Sequence, residues 1–191
     1  MKSEFESKND NQLVSDVSLW KSFKYGDKGS FSSLYKRYNQ ILLHYGLKIS
    51  GDKELVMDSI QDLFVELWKN KLNLAVPESV KAYLFSSLNR KLIKYIGKQT
   101  ADKRRNGNYP TLEIVYSRED ELIDNQISRE NKVLIKGAIN GLTMRQRQVI
   151  FLKFYADFTY QEISEILVIS KESLYNVVSK AVEKLRIKLE K

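Results

Sequence analysis

Between Ser87 and Arg105 seven basic side chains (Arg90, Lys91, Lys94, Lys98, Lys103, Arg104 and Arg105) stand against one acid, Asp102, a local charge of +6. Tyr83, Phe85 and Tyr95 are interleaved with them. Cations at that density neutralise phosphates and aromatic rings stack on bases, so this run suits a nucleic-acid strand with its bases unpaired. Upstream the sign reverses. From Asp52 to Trp68 five acids and one base give −4, with Asp58, Asp62 and Glu66 recurring every four residues and Gln61 beside them. Three carboxylates in one column of a helix repel one another, so the column is either a solvated face or a strip for a basic partner. A third group closes the chain. From Ser170 to Lys191 six bases outnumber three acids, and Lys171, Glu172, Ser173, Tyr175, Asn176, Ser179 and Lys180 all lie off the apolar stripe of their helix. Amides, hydroxyls and ammonium groups in that mixture bond to base edges and phosphates.

Bond-making chemistry is not indicated. His44 is the only histidine and there is no cysteine, which removes His-based triads, thiolate metal sites and disulfides. His44 sits among Leu42, Leu43 and Tyr45 and reads as packing. The segment "GDKGS" at 26–30 lacks the spacing and the strand of a phosphate loop. Trp20 and Trp68 read as core. No enzyme, no cofactor and no metal site is expected.

The elements that hold these groups are helices. Apolar residues recur at three and four positions, and strand-like alternation is scarce. Helices are expected near 12–25, 30–49, 53–69, 78–98, 127–140, 143–155, 159–167 and 171–189. In the third, Val56, Ile60, Leu63, Phe64 and Leu67 form the buried stripe. Thr143 with Gln146 and Thr159 with Glu162 are capping boxes, and Ser170 caps the last helix. Ile163, Ile166 and Leu167, then Leu174, Val177, Val178, Ala181 and Leu185, give a short helix, a turn and a longer helix, the pattern of a helix-turn-helix. An ordinary corner between two helices would give the same spacing; the +3 charge of the second helix favours a DNA reader.

Between Gly97 and Asn125 the periodicity fails. The segment holds Gly107 and Pro110, and from Glu113 to Glu130 six acids (Glu113, Glu119, Asp120, Glu121, Asp124 and Glu130) outweigh Arg118 and Arg129. Such a stretch is longer than loops inside a compact domain, and reads as a tether. The expected architecture is all-α: two small helical domains joined by a flexible tether, the second a helix-turn-helix, with boundaries 1–97, 98–126 and 127–191. Nothing in the sequence fixes the spacing between the two domains. At 191 residues, 42% hydrophobic and 29% charged, the chain is globular, and its net charge of +8 suits a polyanionic partner. It shows no signal-peptide run and no apolar stretch of membrane length, so a cytoplasmic protein without membrane insertion is expected.

Two segments carry a family resemblance. "LTMRQRQVIFLKFYADFTYQEISEILVISKESLYNVVSKAVEKLR" resembles the −35 reading domain of bacterial sigma factors. "FSSLYKRYNQILLHYGLKISGDKELVMDSIQDLFVELWKNK" with "SVKAYLFSSLNRKLIKYI" resembles their −10 reading domain. Both in this order, with a tether between them, resemble the extracytoplasmic-function (ECF) group. The resemblance implies a subunit that binds core RNA polymerase and directs transcription initiation. Asp58, Gln61, Asp62 and Glu66 would dock on the β′ clamp helices, and the β flap would be a second contact. Arg90, Lys91, Lys94, Tyr95 and Lys98 would grip the melted −10 strand. The loop "KNKLNLAVPES" would pocket one extruded base, with Asn70, Lys71 and Asn73 as candidates. The group reading −35 as duplex would be Lys171, Glu172, Ser173, Tyr175, Asn176, Ser179 and Lys180. The acidic tether would thread the polymerase channel, and an anti-sigma factor is a further partner the family admits. Two departures stand out. Arg90 and Lys94 occupy positions where many members carry Asn and Asp, so a −10 preference does not transfer. Val168 stands where the turn often has Gly, and a β-branched residue there is expected to keep φ negative. An operator-binding regulator acting without polymerase, or a helical scaffold that never meets DNA, remain the alternatives.

Overall fold

A computed structural model describes residues 14–105 and 129–190, and every regular element there is helical. Helices α1 (Asp16–Lys24), α2 (Lys28–Ser50), α3 (Lys53–Asn70) and α4 (Val80–Arg105) build the N-terminal half. Asp27 and Asp52 cap α2 and α3 by accepting the backbone N–H groups of Ser30 and Leu55. Gly51, at φ 69°, ends α2 in the left-handed conformation that glycine adopts without strain. Trp20 and Phe23 of α1, Leu42 and Tyr45 of α2, the α3 stripe from Val56 to Leu67, and Leu84, Phe85, Leu88 and Leu92 of α4 fill the core. At Gly46 a Cβ would lie 2.4 Å from Val56 Cγ1, so glycine lets α2 and α3 cross closely. A 3₁₀ turn, Lys71–Asn73, leads from α3 into the loop before α4. Trp20 Nε1 donates to Ala75 O at 3.0 Å and ties that loop to α1.

Helix α4 runs on to Arg105, beyond Gly97, where the sequence pattern led us to expect the tether. A single glycine costs a helix only about 1 kcal/mol, and the Lys, Gln, Ala and Arg residues around it are good helix formers. A Cβ at Gly97 would meet nothing within 4 Å, so no packing constraint ends the helix there either.

In the C-terminal half, α5 (Arg129–Asn140) precedes α6 (Met144–Ile150), which continues as a π-helical turn, Phe151–Tyr155. Helices α7 (Tyr160–Leu167) and α8 (Lys171–Leu189) follow. Both expected capping boxes form, at Thr143 with Gln146 and at Thr159 with Glu162.

The two halves pack against each other, α2 on α6 and α4 on α7, and share one apolar cluster. Phe85 meets Phe158 edge-on at 5.0 Å, and Tyr45 meets Phe151 at 5.7 Å. A buried polar group sits in this seam. Asn89 donates to Ile166 O at 3.1 Å, while its Oδ1 accepts from Gln148 Nε2 at 2.8 Å and from Tyr45 Oη at 3.3 Å. Lys81 bonds Ala156 O and lies 4.6 Å over the Phe158 ring, and Arg147 Nε donates to Lys48 O at 3.2 Å. His44 packs in the same region, its ring 6.3 Å from that of Tyr155. No described helix is long and apolar enough to cross a membrane.

Candidate nucleic-acid interface

Helices α3 and α4 wall a groove of about 590 Å³. Leu63, Leu67 and Leu74 give it an apolar floor, Tyr83 an aromatic wall, and Arg90, Lys91, Lys94 and Lys98 a cationic side. Periodicity makes this arrangement. Leu84, Leu88 and Leu92 turn one face of α4 into the core, which leaves Arg90, Lys94, Tyr95 and Lys98 outward. Ser86 and Ser87 hold the Arg90 guanidinium, each at 3.1 Å. Phe85, read in the sequence as one of the interleaved aromatics, belongs to the core instead, fully buried between Tyr45 and Phe158.

The acidic column of α3 divides. Asp58 and Gln61 are exposed. Asp62 Oδ2 accepts from Tyr95 Oη at 3.1 Å, and Glu66 Oε1 accepts from Lys91 Nζ at 2.6 Å. These two rungs are one turn apart on each helix and join the acidic face to the basic one. The Asp62 carboxylate, by accepting the phenolic proton, holds the Tyr95 hydroxyl above its ordinary pKa. Among the loop candidates, Asn70 lines the groove and donates to Glu66 O at 3.0 Å. Lys71 turns back to Trp68, donating to its carbonyl at 3.3 Å and lying 4.4 Å over its ring, and Asn73 is exposed without lining the groove. Sequence reasoning missed Ser87 and Leu74 as groove residues; Ser87, three residues before Arg90, was the signal available.

At the other end, α7 and α8 form the expected helix pair. Ile163, Ile166, Leu167, Leu174 and Ala181 are buried, and Val177, Val178 and Leu185 are half-buried. Lys171, Glu172, Ser173, Tyr175, Asn176, Ser179 and Lys180 are all exposed on α8. The Ser170 hydroxyl accepts the Ser173 N–H at 3.2 Å and starts the helix. The Glu172 carboxyl sits below its usual range because it accepts its own backbone N–H and the Ser170 hydroxyl. Tyr175 sets its ring at a tilt against that of Tyr160, centroids 5.0 Å apart, which orients an otherwise exposed side chain. The turn corrects one expectation. Val168 adopts φ 52° and ψ 55°, the left-handed region, because the Val168 and Ile169 N–H groups both return to Ser164 O and close α7. The geometry of the turn overrides the preference of a β-branched residue. The acidic tether, Glu113 to Asp124, lies outside the described residues, and the Glu130 side chain does too.

Two family models match the chain. The model for sigma-70 region 2 matches residues 34–101, and that for sigma-70 region 4 matches residues 138–186. The chain is 23% identical over 164 residues to the ECF RNA polymerase sigma factor SigK of Mycobacterium ulcerans (strain Agy99), covering 84% of this chain and 86% of that one. It is 24% identical over 166 residues to the ECF RNA polymerase sigma factor SigX of Bacillus subtilis (strain 168), covering 84% of each. Among solved structures, it superposes on the sigma factor RpoE of Bartonella quintana, seen with the anti-sigma factor NepR. The TM-score is 0.66 at 18% identity, over 83% of this chain and 97% of that one. It also superposes on CnrH in complex with the cytosolic domain of CnrY, at TM-score 0.63 and 18% identity, over 92% and 97%. With both sigma-70 regions present in order and ECF relatives spanning most of its length, the chain belongs to the ECF sigma factors.

Proposed function

We propose that this protein is a non-catalytic specificity subunit, working in the cytoplasm, that docks on core RNA polymerase and reads promoter DNA in two forms. The exposed Asp58 and Gln61 of α3 lead the docking face toward the β′ clamp helices, with Asp62 and Glu66 at its edge, and the β flap is the second polymerase contact. The α3–α4 groove takes the melted −10 strand through Asn70, Arg90, Lys91, Lys94, Tyr95 and Lys98, with Lys71 and Asn73 at the margin of the base pocket. The outward face of α8, from Lys171 to Lys180, reads the −35 duplex. Residues 1–97, extended by the end of α4 that carries Lys98, and 127–191 act as the two reading units, and the segment after α4 acts as the tether. An anti-sigma factor is a natural regulator, since one superposed neighbour is the sigma factor RpoE in complex with the anti-sigma factor NepR.

One observation carries the reading: an acidic helix packed beside a cationic, aromatic-lined groove, on the same molecule as a basic helix-turn-helix. A regulator that met only duplex DNA would gain nothing from the acidic face. The decisive experiment mixes the protein with core polymerase and maps transcript 5′ ends on genomic DNA. Discrete start sites sharing two upstream elements are expected. Tight, sequence-specific binding to a short duplex without polymerase, together with no new start sites, would establish the operator-binding alternative.

A further inference from the structure

The −10 groove contains one charge of the wrong sign. Among the described residues lining it, Glu66 is the only acid, set opposite Arg90, Lys91, Lys94 and Lys98. A carboxylate there repels every phosphate that approaches, so it lowers affinity for a polyanion. Its ion pair with Lys91 does not explain it as a device for folding. The Lys91 side chain is 18% and the Glu66 side chain 60% exposed, and a pair whose carboxylate stays open to water contributes only about 0–1 kcal/mol. Glu66 therefore has to give something else in return for the affinity it removes.

Its geometry says what. Lys91 Nζ holds Oε1 at 2.6 Å, and Oε2 takes no donor among the described residues. Asn70 donates to the Glu66 backbone carbonyl at 3.0 Å and fixes the last turn of α3. The carboxylate is thus oriented at the edge of a cavity floored by Leu63, Leu67 and Leu74. An ionised carboxylate only accepts hydrogen bonds. Phosphates offer no donor, whereas the Watson–Crick edge of an unstacked base does. The strand must then run with its phosphates along Arg90, Lys94 and Lys98 and one base turned inward to Glu66. Lys91, held beside the carboxylate, adds a donor for the acceptor that neighbours the base's N–H.

We propose that Glu66 is a specificity-determining residue of the −10 groove, accepting a hydrogen bond from the Watson–Crick edge of one extruded base, with Lys91 as its positioning partner. The inference rests on the groove being the site of the melted strand. It moves Glu66 from the edge of the docking face to the DNA site.

The test uses reconstituted holoenzyme at saturating core polymerase and a promoter library randomised through the −10 element. Glu66→Gln keeps the shape and the Lys91 contact but adds an N–H₂ donor. It should relax the preference at one −10 position, reducing a discrimination of about 5- to 150-fold toward unity, and leave the other positions as they were. At that position, a base analogue lacking the hydrogen-bond donor should weaken the wild-type complex and leave the Glu66→Gln complex unaffected. Lys94→Ala serves as the reference for phosphate contact: it should weaken all sequences alike and flatten the salt dependence by roughly one unit of slope. If Lys94→Ala acts this way but Glu66→Gln selects the wild-type motif, the assignment of Glu66 is overturned and the groove reading stands. If neither variant alters −10 binding, the groove is not the strand site and both fall. A Glu66→Gln protein with reduced affinity for core polymerase and an intact −10 motif would return the residue to the docking face.

Discussion

At the residue scale, Val168 concentrates the conflict between local preference and fold. Its left-handed backbone costs a β-branched residue roughly 1–2 kcal/mol, and with 74% of its surface exposed the side chain recovers almost none of that by packing. Glycine adopts this conformation freely, at a cost in unfolded-chain entropy of about 0.5–1 kcal/mol. Val168→Gly should therefore raise stability by about 0.5–1 kcal/mol, read as a higher urea midpoint of the full chain at unchanged slope. A lower midpoint would mean that the turn is not strained. The capping boxes at Thr143 and Thr159 were legible in the sequence because both partners lie three residues apart. The conformation of Val168 was not. It follows from where α8 must cross α7, and propensity at one residue carries no information about that crossing. Glu66 was legible as an acid on a helical face, but its role depends on which neighbour the column meets, and Lys91 is 25 residues away in the chain.

At the scale of elements, α8 makes the sharpest division between kinds of side chain. Lys171 and Lys180, both exposed, suit phosphate; Ala at either should weaken −35 binding evenly across promoters and lower the salt slope by roughly one unit. Tyr175, oriented by Tyr160, and Asn176 suit base edges, so Ala there should cost about 1–3 kcal/mol on the preferred element and relax particular base pairs. Leu174 is fully buried, and Leu174→Ala should destabilise the fold by about 2–5 kcal/mol while leaving the selected motif intact. Selection of the −35 element by holoenzyme, with urea unfolding alongside, separates the three. If Tyr175→Ala and Asn176→Ala select the wild-type motif, α8 is not the reader. Helix α3 makes a matching prediction. Asp58 is exposed and has no rung to α4 among the described residues, so Asp58→Arg with Gln61→Arg should reduce co-purification with core polymerase without altering the unfolding midpoint. Undiminished co-purification would remove these residues from the docking face. The existence and type of each helix could be read from apolar spacing, since that spacing is what buries the stripe. The end of α4 could not, because Gly97 and the basic run after it are compatible with helix or tether, and only the chain's solution decides.

At the scale of the whole molecule the sequence is least informative, and the seam shows why. Asn89 and Gln148 are isolated polar residues on otherwise apolar faces, 59 positions apart, and neither announces the other. Their contact nonetheless joins the two halves. If the groove reads −10 and α8 reads −35, as proposed, that contact cannot persist on a promoter. The −35 and −10 elements lie about 25 base pairs apart, roughly 85 Å at 3.4 Å per pair. With α4 against α7 and α7 against α8, the two reading faces are separated by only a few helix diameters of about 10–12 Å. On that proposed reading the seam opens, and the 23 residues between Arg105 and Arg129, which span at most about 80 Å, let the reading units move apart. The seam is also built at a disadvantage: Gln148 Oε1 is buried and has no hydrogen-bond partner among the described residues, which costs about 1–3 kcal/mol in the packed state and is relieved when water enters. A polar lock with one unmet acceptor suits a contact that breaks when polymerase offers each half its own surface. Because the chain has no cysteine, labels at Ser33→Cys and Glu183→Cys, both exposed, report the separation cleanly. The free protein should show one short distance, and addition of core polymerase with promoter DNA should lengthen it by several helix diameters. Asn89→Ala strips Gln148 and the Ile166 carbonyl of their partner, so it should populate the long distance before polymerase is added, while far-ultraviolet dichroism stays unchanged. A free wild-type protein already at the holoenzyme distance would mean that the seam does not hold the halves together in solution.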